Sequence, residues 1–337
     1  MAARLDALVQ PIVVTGGTGF VGSHLVETLC AAGIRPRVLV RDRISPRWIA
    51  AAPVGWVEGA LGEPDALRRL VDGAGTVLHL AGVVRAGSAA EFDRGNRIGT
   101  ANLVQAVRAV APSARLVFVS SLAAAGPSDD PAGIGPEAAP APISHYGRSK
   151  LAAEESMRAL GEGIAWSIVR PPAIYGPRDT DVFEFFRMVD KGLVVLPAGE
   201  RWLTVAWVGD VVRAIVAAGA AEASGAVFHL GGPAPMKLDE LIEVLARAGG
   251  MGLRLLRVPA GMVVGAGVIG SFLQRCGWRS LSLTRDKARE LLARHWTART
   301  EDSLRALGVA EVEAFSDGCR KTWAWYRDQG WLGTRLL

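Results

Sequence analysis

The sequence predicts an α/β protein in which helices cover both faces of a doubly wound parallel sheet. Three observations support this prediction: short continuous apolar runs, helical spacing of apolar residues between those runs, and 40 glycines that suit tight turns. Strands that alternate with helices are joined by right-handed crossovers, which keep the strands parallel. We therefore expect the first half of the chain to form one large sheet.

The elements of this sheet can be assigned in chain order. The predicted strands are PIVVTGG (11–17), RPRVLVRD (35–42), TVLHLAG (76–82), RLVFVSS (115–121) and AWSIVRPP (165–172). The predicted helices between them are VGSHLVETLCAAG (21–33), EPDALRRLVDGA (63–74), NRIGTANLVQAVRAV (96–110) and YGRSKLAAEESMRAL (146–160). A segment rich in proline and glycine, 126–144, is expected to be an active-site loop.

After about residue 175 the alternation changes. Helices are predicted over 181–192 and 208–218, a strand over 226–232, and a mostly helical tail beyond residue 233. We predict a first domain over 1–176, to which 204–232 returns, and a smaller, mostly helical lobe over 177–337.

Composition excludes several classes of function. The net charge is +5 with scattered basic residues, so no nucleic-acid groove is indicated. Cys30, Cys276 and Cys319 lie far apart, which favours a reducing compartment over disulfides or a zinc site. The five histidines show no metal-ligand spacing. No signal sequence precedes the first strand, so a cytoplasmic location is expected.

One apolar stretch, VPAGMVVGAGVIGSFL (258–273), is shorter than the roughly 20 residues that span a bilayer. It predicts a buried or interfacial helix, with weak contact to a membrane surface as the second interpretation.

The segment TGGTGFVG (15–22) follows a predicted strand and opens a helix. Glycines at this turn allow a backbone to approach a pyrophosphate, and the helix N-terminus offers free N–H groups. The predicted contacts to a dinucleotide are Gly16, Thr18, Gly19, Phe20, Val21 and Gly22.

The second strand ends in LVRDR (39–43), where a dinucleotide-binding sheet selects its cofactor. Arg41, with Arg43 as helper, predicts a contact to the 2′-phosphate of NADP(H). NADP(H) is therefore the preferred cofactor, and NAD(H) is the alternative if Asp42 instead holds the ribose.

The segment HYGRSK (145–150) places Tyr146 four residues before Lys150. On a helix these side chains share a face, so a phenol would lie beside an ammonium group. This arrangement favours proton transfer by the phenol, although a surface aromatic beside a surface cation has the same spacing.

Together these segments resemble the extended short-chain dehydrogenase/reductase superfamily, which includes the NAD(P)-dependent epimerase/dehydratase family. The matching segments are TGGTGFVG, HLAG (79–82), Asn96 within 95–107, VSS (119–121), YGRSK and RPPAIYGP (170–177). The segment VGD at 208–210 is more similar to the 3β-hydroxysteroid dehydrogenase and dihydroflavonol reductase branch than to the sugar epimerases.

The resemblance implies a Rossmann fold, a homodimer packed through helices, and a catalytic group of Ser121, Tyr146 and Lys150. The tyrosine would exchange a proton with the substrate oxygen, which the serine would bind. The lysine would favour the phenolate and hold the nicotinamide ribose. Ser120 is the alternative serine, but Ser121 has the family spacing to Gly126.

The resemblance also implies the remaining contacts. For the cofactor these are Ala60, Leu61, Leu80, Ala81, Gly82, Asn96, Val119, Tyr146, Lys150 and Pro171. For the substrate they are Ser121, Tyr146, Ala173, Phe183 and Trp207. Two positions depart from the family pattern: Ala60 and Leu61 stand where an Asp often contacts adenine, and Pro172 and Ala173 stand where sugar-nucleotide enzymes carry an Asn.

These features predict an NAD(P)(H)-dependent oxidoreductase that interconverts a secondary alcohol and a ketone. The substrate is expected to be a small apolar molecule, sterol-, terpenoid- or flavonoid-like, because aromatic side chains dominate the predicted mouth. Those side chains, which could instead be core, are Phe183, Phe186, Met188, Trp202 and Trp207. The alternative is a nucleotide-sugar epimerase or dehydratase with tightly bound cofactor, in which Arg178 and Arg201 would bind the diphosphate. A non-catalytic dinucleotide sensor is a third interpretation, which the intact Ser121, Tyr146 and Lys150 disfavour.

Overall fold

A computed structural model describes residues 2–42, 47–160, 163–221, 224–275, 284–309 and 311–333. Arg43 and Cys276, both named above, lie outside the described residues. The described strands are β1 (Ile12–Thr15), β2 (Arg37–Val40), β3 (Gly55–Glu58), β4 (Thr76–His79), β5 (Arg115–Val119), β6 (Trp166–Arg170), β7 (Ala173–Tyr175), β8 (Leu193–Pro197), β9 (Trp202–Leu203), β10 (Val205–Trp207), β11 (Ala226–His229), β12 (Met236–Lys237), β13 (Arg254–Val258) and β14 (His295–Trp296).

The described α-helices are α1 (Ala2–Asp6), α2 (Phe20–Ala31), α3 (Pro64–Val71), α4 (Ala89–Phe92), α5 (Gly99–Val110), α6 (Leu122–Ala125), α7 (His145–Arg158), α8 (Phe183–Asp190), α9 (Val208–Ala220), α10 (Leu238–Gly249), α11 (Ala260–Arg275), α12 (Arg285–Leu292), α13 (Glu301–Ala306) and α14 (Phe315–Asp328). A 3₁₀ turn covers Arg47–Ile49, and a π-helical turn covers Asp93–Ile98.

The predicted fold class is confirmed by a seven-stranded parallel sheet with the order β11-β6-β5-β4-β1-β2-β3. Consecutive side chains of β1 enter different cores, because side chains alternate across a strand. Ile12 and Val14 pack with α2 and α9, whereas Val13 packs with α3 and α5. Helices therefore cover both faces of the sheet.

The strand order reverses between β1 and β4, so a crevice opens at the carboxyl ends of these strands. In doubly wound sheets ligands bind at this switch point. The glycine loop follows β1, and the HLAG segment follows β4. The sheet therefore brings together two motifs that lie about sixty residues apart in the sequence.

The region beyond residue 176 contributes to both parts of the fold. β11, from the segment 204–232, pairs with β6 and forms one edge of the large sheet. α9, from the same segment, packs on the inner strands of that sheet. The rest encloses a separate core of α8, α10 and α14, in which Phe186, Trp323 and Tyr326 are buried. Short strand pairs accompany these helices, β7 with β10 and β8 with β13. The domain boundary at residue 176 stays a prediction.

Candidate active site

The glycine loop is shaped so that a side chain at two of its positions would collide with backbone. Gly16 has a φ of 74°, and a Cβ there would lie 2.6 Å from the amide nitrogen of Ala81. A Cβ on Gly22 would lie 2.0 Å from the carbonyl oxygen of Gly16. Gly19 is the N-cap of α2, and it has no side chain that could accept from the amides of the first turn. Amide donors at this helix end thus have room for an anion, which fits a dinucleotide pyrophosphate.

The segment after β4 forms the second wall of the crevice. The amides of Leu80 and Ala81 donate to the carbonyl and hydroxyl oxygens of Thr15, at 3.1 and 3.2 Å. His79 is fully buried, with Nδ1 2.6 Å from Thr15 Oγ1 and Nε2 3.0 Å from Thr100 Oγ1. These bonds fix the ends of β1 and β4 relative to one another.

The predicted adenosine end lies where β2 and β3 finish. Arg41 and Asp42 directly follow β2 and are exposed. Ala60 is half-buried, while Leu61 packs against Gly99 and its carbonyl accepts from Asn102 Nδ2 at 2.9 Å. An apolar surface with backbone groups thus stands where the family pattern often has an acid.

Tyr146 and Lys150 lie one turn apart on α7, whose N-cap Ser144 accepts from the amide of Gly147. The Ser121 hydroxyl bonds the Tyr146 phenol, and Ser121 also caps α6. Lys150 is buried, and its Nζ donates to the carbonyl of Val119 at 2.8 Å. The structure therefore brings together the serine, tyrosine and lysine that the sequence predicted.

Electrostatics at this group favour a protonated phenol in the protein without cofactor. Burial raises the pKa of Tyr146 to about 12, and the Ser121 hydrogen bond opposes this shift. Burial lowers the pKa of Lys150 to about 7, while the nearby Glu154 carboxylate opposes that shift. The phenol is thus a proton donor at neutral pH, beside an amine that exchanges its own proton in the same range.

Ser120 faces a different group, which the sequence analysis missed. Its hydroxyl donates to Oε1 of Glu154 at 2.6 Å. Glu154 is fully buried and accepts a bidentate pair from Arg170, at 2.8 and 2.6 Å. Arg170 Nη1 also lies 3.4 Å from Nε2 of His229, whose Nδ1 donates to the carbonyl of Ile134. A buried polar chain thus links the catalytic helix to the loop 126–144.

Asn96 lies in the π-helical turn and supports the catalytic helix. Its Oδ1 accepts from the amide of Val83 at 2.7 Å, and its Nδ2 donates to the carbonyl of Val83 and to Ser149 Oγ. Ser149 in turn donates to the carbonyl of Tyr146. The side chain of Asn96 therefore positions the Tyr146 turn, as π-helical turns at functional sites often do.

The other predicted cofactor residues surround this centre. Gly82 lies beside Asn96 and Lys150, since a Cβ there would be 2.8 Å from Asn96 Oδ1. Pro171 is buried, and its carbonyl accepts from the amide of Leu122. Thr18, Phe20 and Val21 are partly exposed at the start of α2.

The predicted substrate residues of the second lobe differ in their surroundings. Ala173 is exposed at the start of β7. Phe183 is half-buried and stacks edge-on against Tyr326, with ring centroids 4.8 Å apart. Trp207 is also half-buried, packed against Tyr175. Both aromatic side chains therefore contribute to the core of the lobe, and their contact with substrate stays a prediction.

Three further aromatic or apolar candidates have other partners. Phe186 is fully buried, and Met188 packs against the same core. Trp202 donates from Nε1 to Glu200, and Lys237 lies over its ring.

The two arginines considered for a diphosphate have protein partners. Arg178 donates to Ser23 and Glu27 of α2. Arg201 donates to the carbonyl oxygens of Pro197, Ala198, Gly199 and Leu291.

Helix α12, near the end of the chain, contacts the first turn of α7, which the sequence analysis did not predict. Asp286 of α12 accepts a hydrogen bond from the amide of His145, at 2.7 Å, one residue before Tyr146. Glu290 of the same helix is close enough to raise the pKa of Tyr146 further. In the described residues, no group of three His, Cys, Asp or Glu side chains could hold a metal ion.

Comparison with known proteins identifies the family to which the chain belongs, and it is the family that the sequence motifs resemble. A model described as the NAD dependent epimerase/dehydratase family matches residues 12–231. The ceramide reductase of Caulobacter vibrioides is 36% identical, over 97% of this chain and 97% of its own length. The chain belongs to the NAD dependent epimerase/dehydratase family.

Two further similar proteins differ from one another in the ligands that their names state. A ketoreductase of Stigmatella aurantiaca, named for a farnesyl dihydroquinoline oxide, is 28% identical over 88% of this chain and 91% of its own. The solved structure of MoeE5 with UDP-glucuronic acid and NAD is 23% identical, with a TM-score of 0.77, and covers 95% of this chain and 100% of that one. The latter likeness concerns the fold.

As a member of this family, the protein is an NAD(P)-dependent oxidoreductase of the extended short-chain dehydrogenase/reductase type. A bound nicotinamide dinucleotide supplies or accepts a hydride. The chain's own groups are placed suitably for the accompanying steps: the α2 N-terminus for binding phosphate, Ser121 for orienting an oxygen, and Tyr146 for holding a proton for that oxygen.

Proposed function

We propose that the protein reduces a ketone on a long-chain or polycyclic apolar molecule, with NADPH as the preferred reductant. The observation that carries this proposal is the Tyr146 phenol, protonated at neutral pH and hydrogen-bonded to Ser121. A protonated acid beside the substrate oxygen suits reduction, in which the forming alkoxide needs a proton.

The nature of the substrate is inferred from charge and from relatives. A nucleotide sugar would bury a diphosphate, which needs cations that are available to bind it. Arg178 and Arg201 are already engaged by Glu27 and by backbone carbonyls. The names of the ceramide reductase and the farnesyl-quinoline ketoreductase support a lipid-like ketone instead. A ceramide-type lipid that carries a ketone is the first candidate.

The test is oxidation of NADPH, followed by absorbance, with a ketone-bearing ceramide in detergent micelles. The wild-type protein should turn over this lipid, and Tyr146→Phe should lower turnover by about 10² or more because it removes the transferable proton. Cofactor binding by Tyr146→Phe should be unchanged in a fluorescence titration.

A second assay separates the alternative function. With NADP present, a nucleotide sugar should not raise the midpoint of thermal unfolding, whereas the apolar ketone should. Stabilisation by UDP-hexose alone, together with cofactor that copurifies and returns its hydride, would instead favour an epimerase or dehydratase.

A further inference from the structure

Helix α11 exposes apolar side chains that the fold does not cover. Met262 and Ile269 are 63% and 61% exposed, and Val264 and Val268 are 46% and 43% exposed. The helix has no charged residue before Arg275. At about 1.5 Å per residue its sixteen residues reach about 24 Å, less than the roughly 30 Å of a hydrocarbon core. Among the described helices, none is long and apolar enough to cross a membrane.

The strand pair that precedes α11 adds to this exposure. Val195 of β8 lies beside Leu256 of β13 in parallel register, and both are exposed, as is Leu193. β13 ends at Val258, two residues before α11 begins. We call Leu193, Val195, Leu256, Met262, Val264, Val268 and Ile269 the apolar face. They are seven of the ten large apolar side chains that the described residues expose, so the exposure is concentrated rather than scattered.

The neighbouring helix α12 supplies positive charge. It packs closely on α11, since a Cβ on Gly267 would lie 2.8 Å from Cβ of Ala288. Its exposed charged positions, Arg285, Lys287 and Arg289, are all cationic.

The acidic residues of α12 are turned away from solvent. The side chains of Asp286 and Glu290 are only 21% and 15% exposed. Apolar residues flanked by cations are typical of segments that lie in the interface of an anionic bilayer.

The pair of helices α11 and α12 lies close to the candidate active site. Asp286 binds the amide of His145, beside the catalytic Tyr146. A surface that holds α11 and α12 would therefore lie next to the entrance of the active site. An apolar substrate could pass from lipid to the site along a short path.

We propose that the apolar face docks the protein on the surface of a bilayer that contains anionic lipids, with α11 lying in the interface. The reason for this contact rests on the proposed lipid substrate, but the contact itself can be measured without turnover.

The first experiment is co-sedimentation with vesicles of phosphatidylglycerol and phosphatidylcholine in equal parts. The wild-type protein should sediment with them, and added salt should weaken its binding because it screens the cations. Met262→Asp/Ile269→Asp should lower the partition coefficient by about tenfold or more, since two apolar side chains that would enter the bilayer become charged. Val9→Asp is the matched control, because Val9 is 62% exposed in the first domain; it should bind as the wild type does.

A second pair of variants tests the charges. Arg285→Gln/Arg289→Gln should reduce binding to the anionic vesicles by about tenfold, at roughly a few-fold per cation near the surface. Arg68→Gln/Arg305→Gln removes the same net charge at exposed positions of α3 and α13 and should have little effect.

Three results would overturn the proposal. The first is a wild-type protein that stays in the supernatant with anionic vesicles. The second is Met262→Asp/Ile269→Asp binding as tightly as the wild type while its thermal unfolding midpoint is unchanged. The third is a dimer, seen by light scattering, that Met262→Asp/Ile269→Asp dissociates; the apolar face would then bind a second copy. Loss of ketone reduction with vesicle binding intact would count against the proposed function alone.

Discussion

Ser120 and Ser121 are neighbours at the end of β5, but their hydroxyl groups serve different parts of the protein. Successive side chains of an extended chain point to opposite sides. Ser121 therefore faces Tyr146 in the crevice, while Ser120 faces the buried carboxylate of Glu154. The same division separates a group that can touch substrate from a group that positions the catalytic helix.

Replacing these serines one at a time should affect two different properties, turnover for Ser121 and stability for Ser120. Ser121→Ala should lower turnover by about 10- to 150-fold, because a hydrogen bond to a developing charge is worth about 1.5–3 kcal/mol. Ser120→Ala should instead lower the free energy of unfolding by about 1–3 kcal/mol, because a buried carboxylate loses a donor. Steady-state kinetics and urea unfolding of both variants provide the measurement. The reverse pattern would assign the catalytic role to Ser120.

At the scale of single elements, the residues that follow β2 are the ones that distinguish NADP(H) from NAD(H) in dinucleotide-binding sheets. β2 lies next to β1, so the residues that follow it are close to the glycine loop. Arg41 and Asp42 occupy this point, and both are exposed. One suits a phosphate and the other suits a ribose hydroxyl, so affinity has to distinguish them.

Arg41→Ala should weaken NADPH binding by about 10- to 150-fold and leave NADH binding nearly unchanged, because a charge-assisted bond to the 2′-phosphate is lost. Fluorescence titration with both cofactors gives the two dissociation constants. Arg68→Ala, at an exposed position on α3, is the control for net charge. If the wild-type protein binds NADH as tightly as NADPH, Asp42 is the ribose ligand and NAD is the cofactor.

Much of the first domain could be predicted because its strands are continuous buried runs, as in β1, β4 and β5. Strand β3 was missed, since Gly55–Glu58 is a half-exposed edge strand without such a run. The aromatic residues of α8 could not be assigned to core or pocket, because the apolar face of a helix has the same spacing in both cases. The structure places Phe186 in the core.

The grouping of Tyr146 and Lys150 on one helix could be predicted from local spacing, but the residues that support this group could not. Tyr146 and Lys150 are four residues apart and share a helix. Their supports come from distant parts of the chain, such as Arg170, which holds Glu154, and Asp286, which holds the first turn of α7. Such pairs depend on the tertiary fold, and one sequence contains no local pattern for them.

For the whole molecule, two buried histidines connect stability to pH. Burial and the nearby Lys150 lower the pKa of His79 to about 3, and burial with the nearby Arg170 lowers that of His229 to about 4. Free histidine titrates near 6.5. As the pH falls below 6.5 the unfolded chain takes up protons that the folded chain does not, so the free energy of unfolding decreases.

His229→Gln should therefore reduce the acid sensitivity of the fold. Between pH 6.5 and 5 the wild-type protein should lose about 1.5 kcal/mol more than the variant, because the extra uptake by the unfolded chain grows from about half a proton at pH 6.5 to nearly one at pH 5. Urea unfolding at both pH values measures this difference. The comparison cancels Asp179, whose pKa burial raises to about 6 and whose effect has the opposite sign. Equal losses in both proteins would mean that His229 is protonated in the folded state.

The position of β11 also has a consequence for how the chain folds as it is made. β6 pairs with β11, whose four residues are synthesised more than fifty positions later. At about 5–20 residues per second, the ribosome releases β6 roughly 3–10 seconds before its partner. For most of that interval β6 is itself the edge strand of the nascent sheet, and α9 is not yet complete and cannot cover the sheet's apolar face. The growing chain is then most exposed to aggregation, well before its last helices exist.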